Sequence, residues 1–137
     1  MPQSTIVTNP KVLAVPEYSS ESSYQIALTA AHAADDRKAA DIVLLAIGEV
    51  STLANYFVLA TGFSRAQTKA IAATVSEQLL AQFDRRPLHA SGNEDTGWIL
   101  LDYGDVIIHI MMPQEREFYN LEAFWGHVSQ LILPPLV

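Results

Sequence analysis

The sequence predicts an α/β (α+β) domain, a mixed β-sheet of about five strands flanked by helices. Three observations predict it. Ile42-Val-Leu-Leu-Ala-Ile47 and Tyr56-Phe-Val-Leu-Ala-Thr61 are apolar runs of strand length with no polar face, as in strands buried on both sides. Two further apolar runs meet at Asp102-Tyr103-Gly104-Asp105, which reads as a β-hairpin. Helical patterns lie before, between and after these strands, giving the order helix, two strands, helix, three strands, helix.

Residues 1–22 hold Pro2, Pro10, Pro16 and the run Ser19-Ser-Glu-Ser-Ser23 without periodicity, and are expected to be a mobile tail. The domain then spans 23–137. Ser22 and Gln25 have capping-box spacing before an alanine-rich helix expected over Ser23–Ala39. Gly48 to Ala54 turns the chain between the first two strands, and Gly62 ends the second. Ser64 and Gln67 repeat the capping-box spacing. Ile71, Val75 and Leu79, with Ala72 and Phe83 beside them, give the second helix its apolar stripe. That helix stops near Asp84, because Pro87 prevents its continuation.

Leu88–Ala90 reads as a short strand and Ser91–Gly97 as a polar loop. With Tyr103 and Gly104 as the central turn residues, Asp102 faces Asp105, Leu100 faces Ile107 and Trp98 faces His109. All six share one face. Ile99, Leu101, Val106 and Ile108 lie on the other, which looks like core. Like charges directly opposite each other cost stability, and a basic partner would relieve that cost; equally, Asp-Tyr-Gly-Asp is good turn chemistry for a solvent-exposed hairpin tip. Pro113 breaks the last strand. Leu121, Phe124, Trp125, Val128 and Leu131 are spaced as one helical face that Pro134-Pro135 ends.

The chain has 137 residues, half of them apolar, enough for one real core. No apolar run reaches 18 residues and the N-terminus carries no secretory pattern, so a membrane span is not expected and a cytoplasmic location is. There are no cysteines, which excludes disulfides and thiolate chemistry. Charge is uneven: residues 1–86 carry a net −1, whereas residues 87–137 carry a net −6 with Arg116 their only base. Such a surface repels DNA and RNA and would attract a basic protein, although from charge alone a solvated acidic face that aids solubility is the commoner meaning.

Reaction chemistry is sparse. No Gly-rich nucleotide loop and no metal-ligating spacing is present. Asp102, Asp105 and His109 are the best metal constellation, but acids at a hairpin tip lack a surrounding pocket. His109 lies in an apolar strand, where a structural role is commoner. Arg116, with Glu115, Glu117 and Glu122 around it, reads as a structural ion pair at the corner after the last strand. Phe124 and Trp125 at helical spacing are core by default.

At these residues the chain resembles the ribosomal silencing factor S (Iojap-like) family. The matching stretches are Lys38-Ala-Ala-Asp-Ile42, Tyr56-Phe-Val-Leu-Ala-Thr-Gly62, Ser64 with Gln67, Gly97-Trp-Ile-Leu-Leu-Asp-Tyr-Gly-Asp105, Ile108-His109, and Arg116-Glu-Phe-Tyr-Asn-Leu-Glu122 with Trp125. The resemblance covers roughly residues 25–128. It implies a nucleotidyltransferase-like fold without the catalytic motif, no enzymatic activity and no cofactor. It implies binding to the large ribosomal subunit through the small basic ribosomal protein L-fourteen. That binding would block small-subunit joining and repress translation under nutrient limitation.

A homodimer is also implied, and organellar relatives imply an alternative role in large-subunit assembly. A metal-dependent nucleotidyltransferase-like enzyme is the weaker alternative. By motif match, the partner-binding residues would be Trp98, Leu100, Leu101, Asp102, Tyr103, Tyr119, Glu122 and Trp125, with Arg116 and His109 structural. Trp98 and Leu100 would be apolar anchors, and Asp102 and Glu122 would pair with Lys or Arg of the partner. Asn55 and Ser91 stand where the family usually has acids, which removes two negative charges.

Overall fold

The computed structural model describes residues 5–6, 21–92 and 96–132. In chain order these form β1 (Thr5–Ile6), α1 (Glu21–Asp36), β2 (Ala40–Leu45), a 3-10 turn (Ile47–Glu49), β3 (Tyr56–Thr61), α2 (Arg65–Phe83) and β4 (His89–Ser91). There follow β5 (Trp98–Asp102), β6 (Val106–Met111), α3 (Pro113–Tyr119), α4 (Leu121–Phe124) and β7 (Gln130–Ile132). The strands make one sheet in the order β1-β7-β2-β3-β6-β5-β4. Only β3 and β6 run parallel; every other neighbouring pair is antiparallel. The sheet is therefore mixed, as expected, but among the described residues it has seven strands rather than about five.

Local chemistry explains most boundaries. α1 starts two residues before the expected Ser23 and ends at Asp36 instead of Ala39, where Lys38 takes φ 67°. The Ala39 N–H then bonds the Ala34 carbonyl and the Lys38 N–H the Asp35 carbonyl, a Schellman ending without glycine. α2 opens on Ser64, whose hydroxyl accepts from the Gln67 N–H, while the Gln67 side chain accepts from the Phe63 N–H. It ends at Asp84, in the left-handed region.

The two extra strands lie together at one edge. β7 lies in the stretch expected to be helical, of which only α4 (Leu121–Phe124) is helix, and α3 is an additional helix before it. Asn120 adopts φ 46°, separating α3 from α4, and the chain then turns into the sheet. Val128 and Leu131 fit a helical spacing, but a short apolar run fits a strand equally well, and β2 offers it a partner. Pro134 and Pro135 lie outside the described residues. β1 comes from the segment expected to be a mobile tail: Thr5 and Ile6 pair with Ile132 and Leu131. The rest of that tail up to residue 20 is outside the described residues.

One face of the sheet is covered by α1 and α2. Its core includes Ile26, Ala30, Tyr56, Val58, Ile71, Leu79, Leu101, Tyr103 and Ile108. The other face carries a smaller cluster of Val43, Leu45, Phe57, Leu59, Ile107 and Val128, with Leu100, Leu121 and Trp125 packed against it. α3, α4 and β5 thus border a face that the described residues cover only in part.

Candidate functional site

The β5–β6 hairpin differs in register from the sequence expectation. Leu100 faces His109, Trp98 faces Met111 and Asp102 faces Ile107. The Tyr103 N–H bonds the Val106 carbonyl, so Gly104 and Asp105 are the central turn residues, with Gly104 at φ 92° where only glycine is unstrained. A slip of two residues preserves the faces, because side chains alternate. Trp98, Leu100 and Asp102 still share a face with His109. The expected Asp102–Asp105 opposition does not form.

Each acid has its own structural partner. The Asp102 carboxylate accepts from the Gly104 N–H at 2.7 Å. Asp105 accepts from Arg85 at 2.7 Å and from the Ser23 hydroxyl at 2.6 Å. Burial alone would raise the Asp105 carboxyl, but the Arg85 and Ser23 hydrogen bonds hold it below the usual carboxylate range. Asn55, expected to weaken the site by lacking a charge, instead donates to the same Ser23 hydroxyl. Among the described residues no three His, Cys, Asp or Glu side chains converge on one point, so the Asp102, Asp105 and His109 metal constellation is not assembled.

Two expected contact residues are corrected. Leu101 and Tyr103 point into the helix-covered core and are 5% and 1% exposed, so neither reaches a partner from this conformation. Trp98, Leu100, Asp102 and Tyr119 are accessible to different degrees on the opposite side. Trp125 is half-buried, its ring edge-on to Phe57 at 5.8 Å. Phe124, expected in the core, is 71% exposed, and Phe118 is 78% exposed.

Arg116 is a clamp. Its Nε and Nη2 donate to the two Glu122 oxygens at 2.8 and 3.0 Å, its Nη1 to the Thr61 hydroxyl, and Nη2 also to the Asp41 carbonyl. Asp41 lies at the irregularity in the β2–β3 register with φ 51°, so the guanidinium ties α3 and α4 to a bulge in the sheet. Glu122 is committed to this clamp.

His109 is 4% exposed. Its Nδ1 accepts from the Trp98 indole N–H at 3.2 Å, which places its own proton on Nε2, and its ring lies 4.6 Å from Phe57. Burial pushes the imidazole down to about 4, with the Arg116 guanidinium adding to the shift and Asp102 opposing it. The neutral ring anchors Trp98 from below. Ring contacts then run without a gap from Phe118 through Tyr119, Trp98, His109 and Phe57 to Trp125 and Phe124.

Beside this band lies an open groove of about 530 Å³ lined by Ser91, Gly92, Thr96, Gly97, Trp98, Leu100, Glu115 and Tyr119. Trp98 and Tyr119, 4.6 Å apart, make its aromatic wall. Neither Gly97 nor Glu115 stands out in the sequence as a groove residue. A Cβ at Gly97 would collide with the Glu115 carboxylate, so the glycine is what lets the acid lie against β5. The available signals were a glycine directly before the strand and an acid in the first turn after Pro113.

The profile of the family described as ribosomal silencing factor during starvation matches residues 20–136. The chain is 39% identical over 109 residues to the chloroplastic protein Iojap of Zea mays, a match covering 79% of this chain and 46% of that one. It therefore spans about half the length of that relative. It is 37% identical over 100 residues to the ribosomal silencing factor RsfS of Bacillus subtilis, covering 71% of this chain and 81% of the relative. A crystal structure of a Chromobacterium violaceum protein superposes with a TM-score of 0.71 at 35% identity, covering 75% of this chain and 85% of that one.

Proposed function

Because the chain belongs to the ribosomal silencing factor family, we propose that it binds the large ribosomal subunit through the small basic ribosomal protein L-fourteen and sterically prevents the small subunit from joining. Translation would fall in proportion to occupancy under nutrient limitation, in the cytoplasm where the ribosomes work. Steric exclusion requires no reaction and no cofactor. The observation that carries the reading is the partly uncovered face: a continuous aromatic band beside a groove with an acidic wall. It lies in the segment of net charge −6. Large rings with satisfied backs and a surplus of negative charge suit a basic protein partner, with the rings supplying area and the charge steering encounter.

The contact residues assigned to this face are Trp98, Leu100, Asp102 and Tyr119. Trp125 supports it from the half-buried side. Phe118, Tyr119 and Phe124 also give this face the means to pair with a second copy of the chain, and such a dimer would compete with ribosome binding.

The test is sedimentation of the purified protein with each isolated subunit and with both. Co-migration with the large subunit alone, and fewer joined ribosomes in the mixture, is the expected result. A Trp98→Ala/Tyr119→Ala variant with unchanged far-UV circular dichroism should lose both effects. No co-migration of the parent protein with the large subunit would overturn the reading. Co-migration with precursor particles without any effect on joining would replace silencing by an assembly role.

A further inference from the structure

We propose that the groove between β5 and α3 is a socket for one cationic side chain, a lysine or arginine of the basic partner, and that Glu115 is the residue that selects it. This rests on the reading that the aromatic face docks a basic protein. Glu115 is not among the acids assigned to the partner; Asp102 and Glu122, like Asp105, have partners within the chain. Glu122 holds Arg116 through both carboxylate oxygens, Asp105 holds Arg85 and Ser23, and Asp102 closes the turn onto the Gly104 N–H. Among the described residues Glu115 has neither a hydrogen bond nor an ion pair, and its carboxylate lies in the wall of the groove.

The surroundings specify the occupant. Trp98 and Tyr119 present ring surface beside the carboxylate, the arrangement that attracts a cation through ring quadrupoles while packing its aliphatic stem. Ser91 and Thr96 also line the groove, the Thr96 hydroxyl donating to the Trp98 carbonyl. The Trp98 ring is fixed by its hydrogen bond to His109, so little order must be gained on binding. Arg116, the nearest base in sequence, is turned into the clamp and does not line the groove. An anionic occupant would meet the unpaired carboxylate, and a purely apolar one would bury that charge without a partner.

Gly97 makes a second, independent handle. The atoms nearest to a methyl group at position 97 belong to the carboxylate end of the flexible Glu115 side chain, which can swing away. Gly97→Ala should therefore move the carboxylate while leaving its charge and the fold in place. The experiment measures affinity for isolated large subunits by co-sedimentation at low and high salt, for the parent chain, Glu115→Gln, Gly97→Ala and Glu117→Gln. Glu117 is the control: an exposed acid two residues away, outside the groove.

Expected are losses of roughly tenfold for Glu115→Gln and of similar size for Gly97→Ala, shrinking as salt rises, with Glu117→Gln within about twofold. Melting curves should be unchanged in all three variants. Equal losses for Glu115→Gln and Glu117→Gln would reduce the effect to net charge and overturn the socket. Unchanged binding in Glu115→Gln would overturn it as well, leaving the docking reading intact. Failure of the parent chain to bind would overturn both.

Discussion

His109 illustrates how one buried side chain can link stability to the proposed recognition surface. The imidazole is neutral, with its acceptor nitrogen on Trp98 and its folded value near 4 against an ordinary 6.5. The unfolded chain takes up a proton as pH falls through 6.5, and the folded chain does not until about 4. Stability from this group is therefore full above about pH 6.5 and is lost as pH falls toward 4, by about 3 kcal/mol across the window. Urea unfolding at pH 7 and at pH 4.5 should show that loss in the parent chain and a flatter profile in His109→Phe. Identical profiles would mean that the ring is not held neutral by burial. The sequence places the same histidine directly across from Trp98 on one face of the hairpin; the face is right, but the bond to Trp98 runs diagonally across the strands.

At the scale of elements, what the sequence discloses depends on how far apart the cooperating residues lie. β3 spans Tyr56–Thr61 as its apolar run predicts, and α2 has its expected cap and stop, because those signals are local. The hairpin faces are right and its register is two residues off, because the difference lies in the Gly104–Asp105 turn, which parity cannot detect. The groove was not legible, since it needs α3 brought against β5, and that approach depends on Gly97 and on a clamp reaching 75 residues back to Asp41. Arg116→Lys tests the clamp. A lysine keeps the charge but cannot serve Thr61, Asp41 and both Glu122 oxygens at once. At 11% side-chain exposure the loss should be on the order of 3 kcal/mol by chemical denaturation, with faster amide exchange over residues 113–125. An unchanged midpoint would show that packing of Leu121 and Trp125 alone holds the corner.

Across the whole molecule, the two ends of the sheet carry different burdens. β5, with the proposed socket, lies five strand positions from β1, about 24 Å at ordinary strand spacing. That exceeds the distance over which surface charges act at physiological salt. The family match begins at residue 20, so β1 belongs to a segment outside it. Thr5 and Ile6 nevertheless cover the outer edge of β7. An edge strand left unpaired is a template for pairing with another chain, and a two-residue ladder is enough to blunt it at little cost in stability. Removing residues 1–19 should therefore separate two properties. Affinity for large subunits should stay within about twofold, and unfolding free energy within about 1 kcal/mol, because among the described residues only two residue pairs of ladder are lost. Self-association, followed by sedimentation velocity over a range of protein concentrations, should rise as the β7 edge is uncovered. A tenfold loss of ribosome affinity would instead make the N-terminal segment part of the docking surface. Unaltered self-association would mean that β7 is protected by its own shortness, with β1 an incidental neighbour.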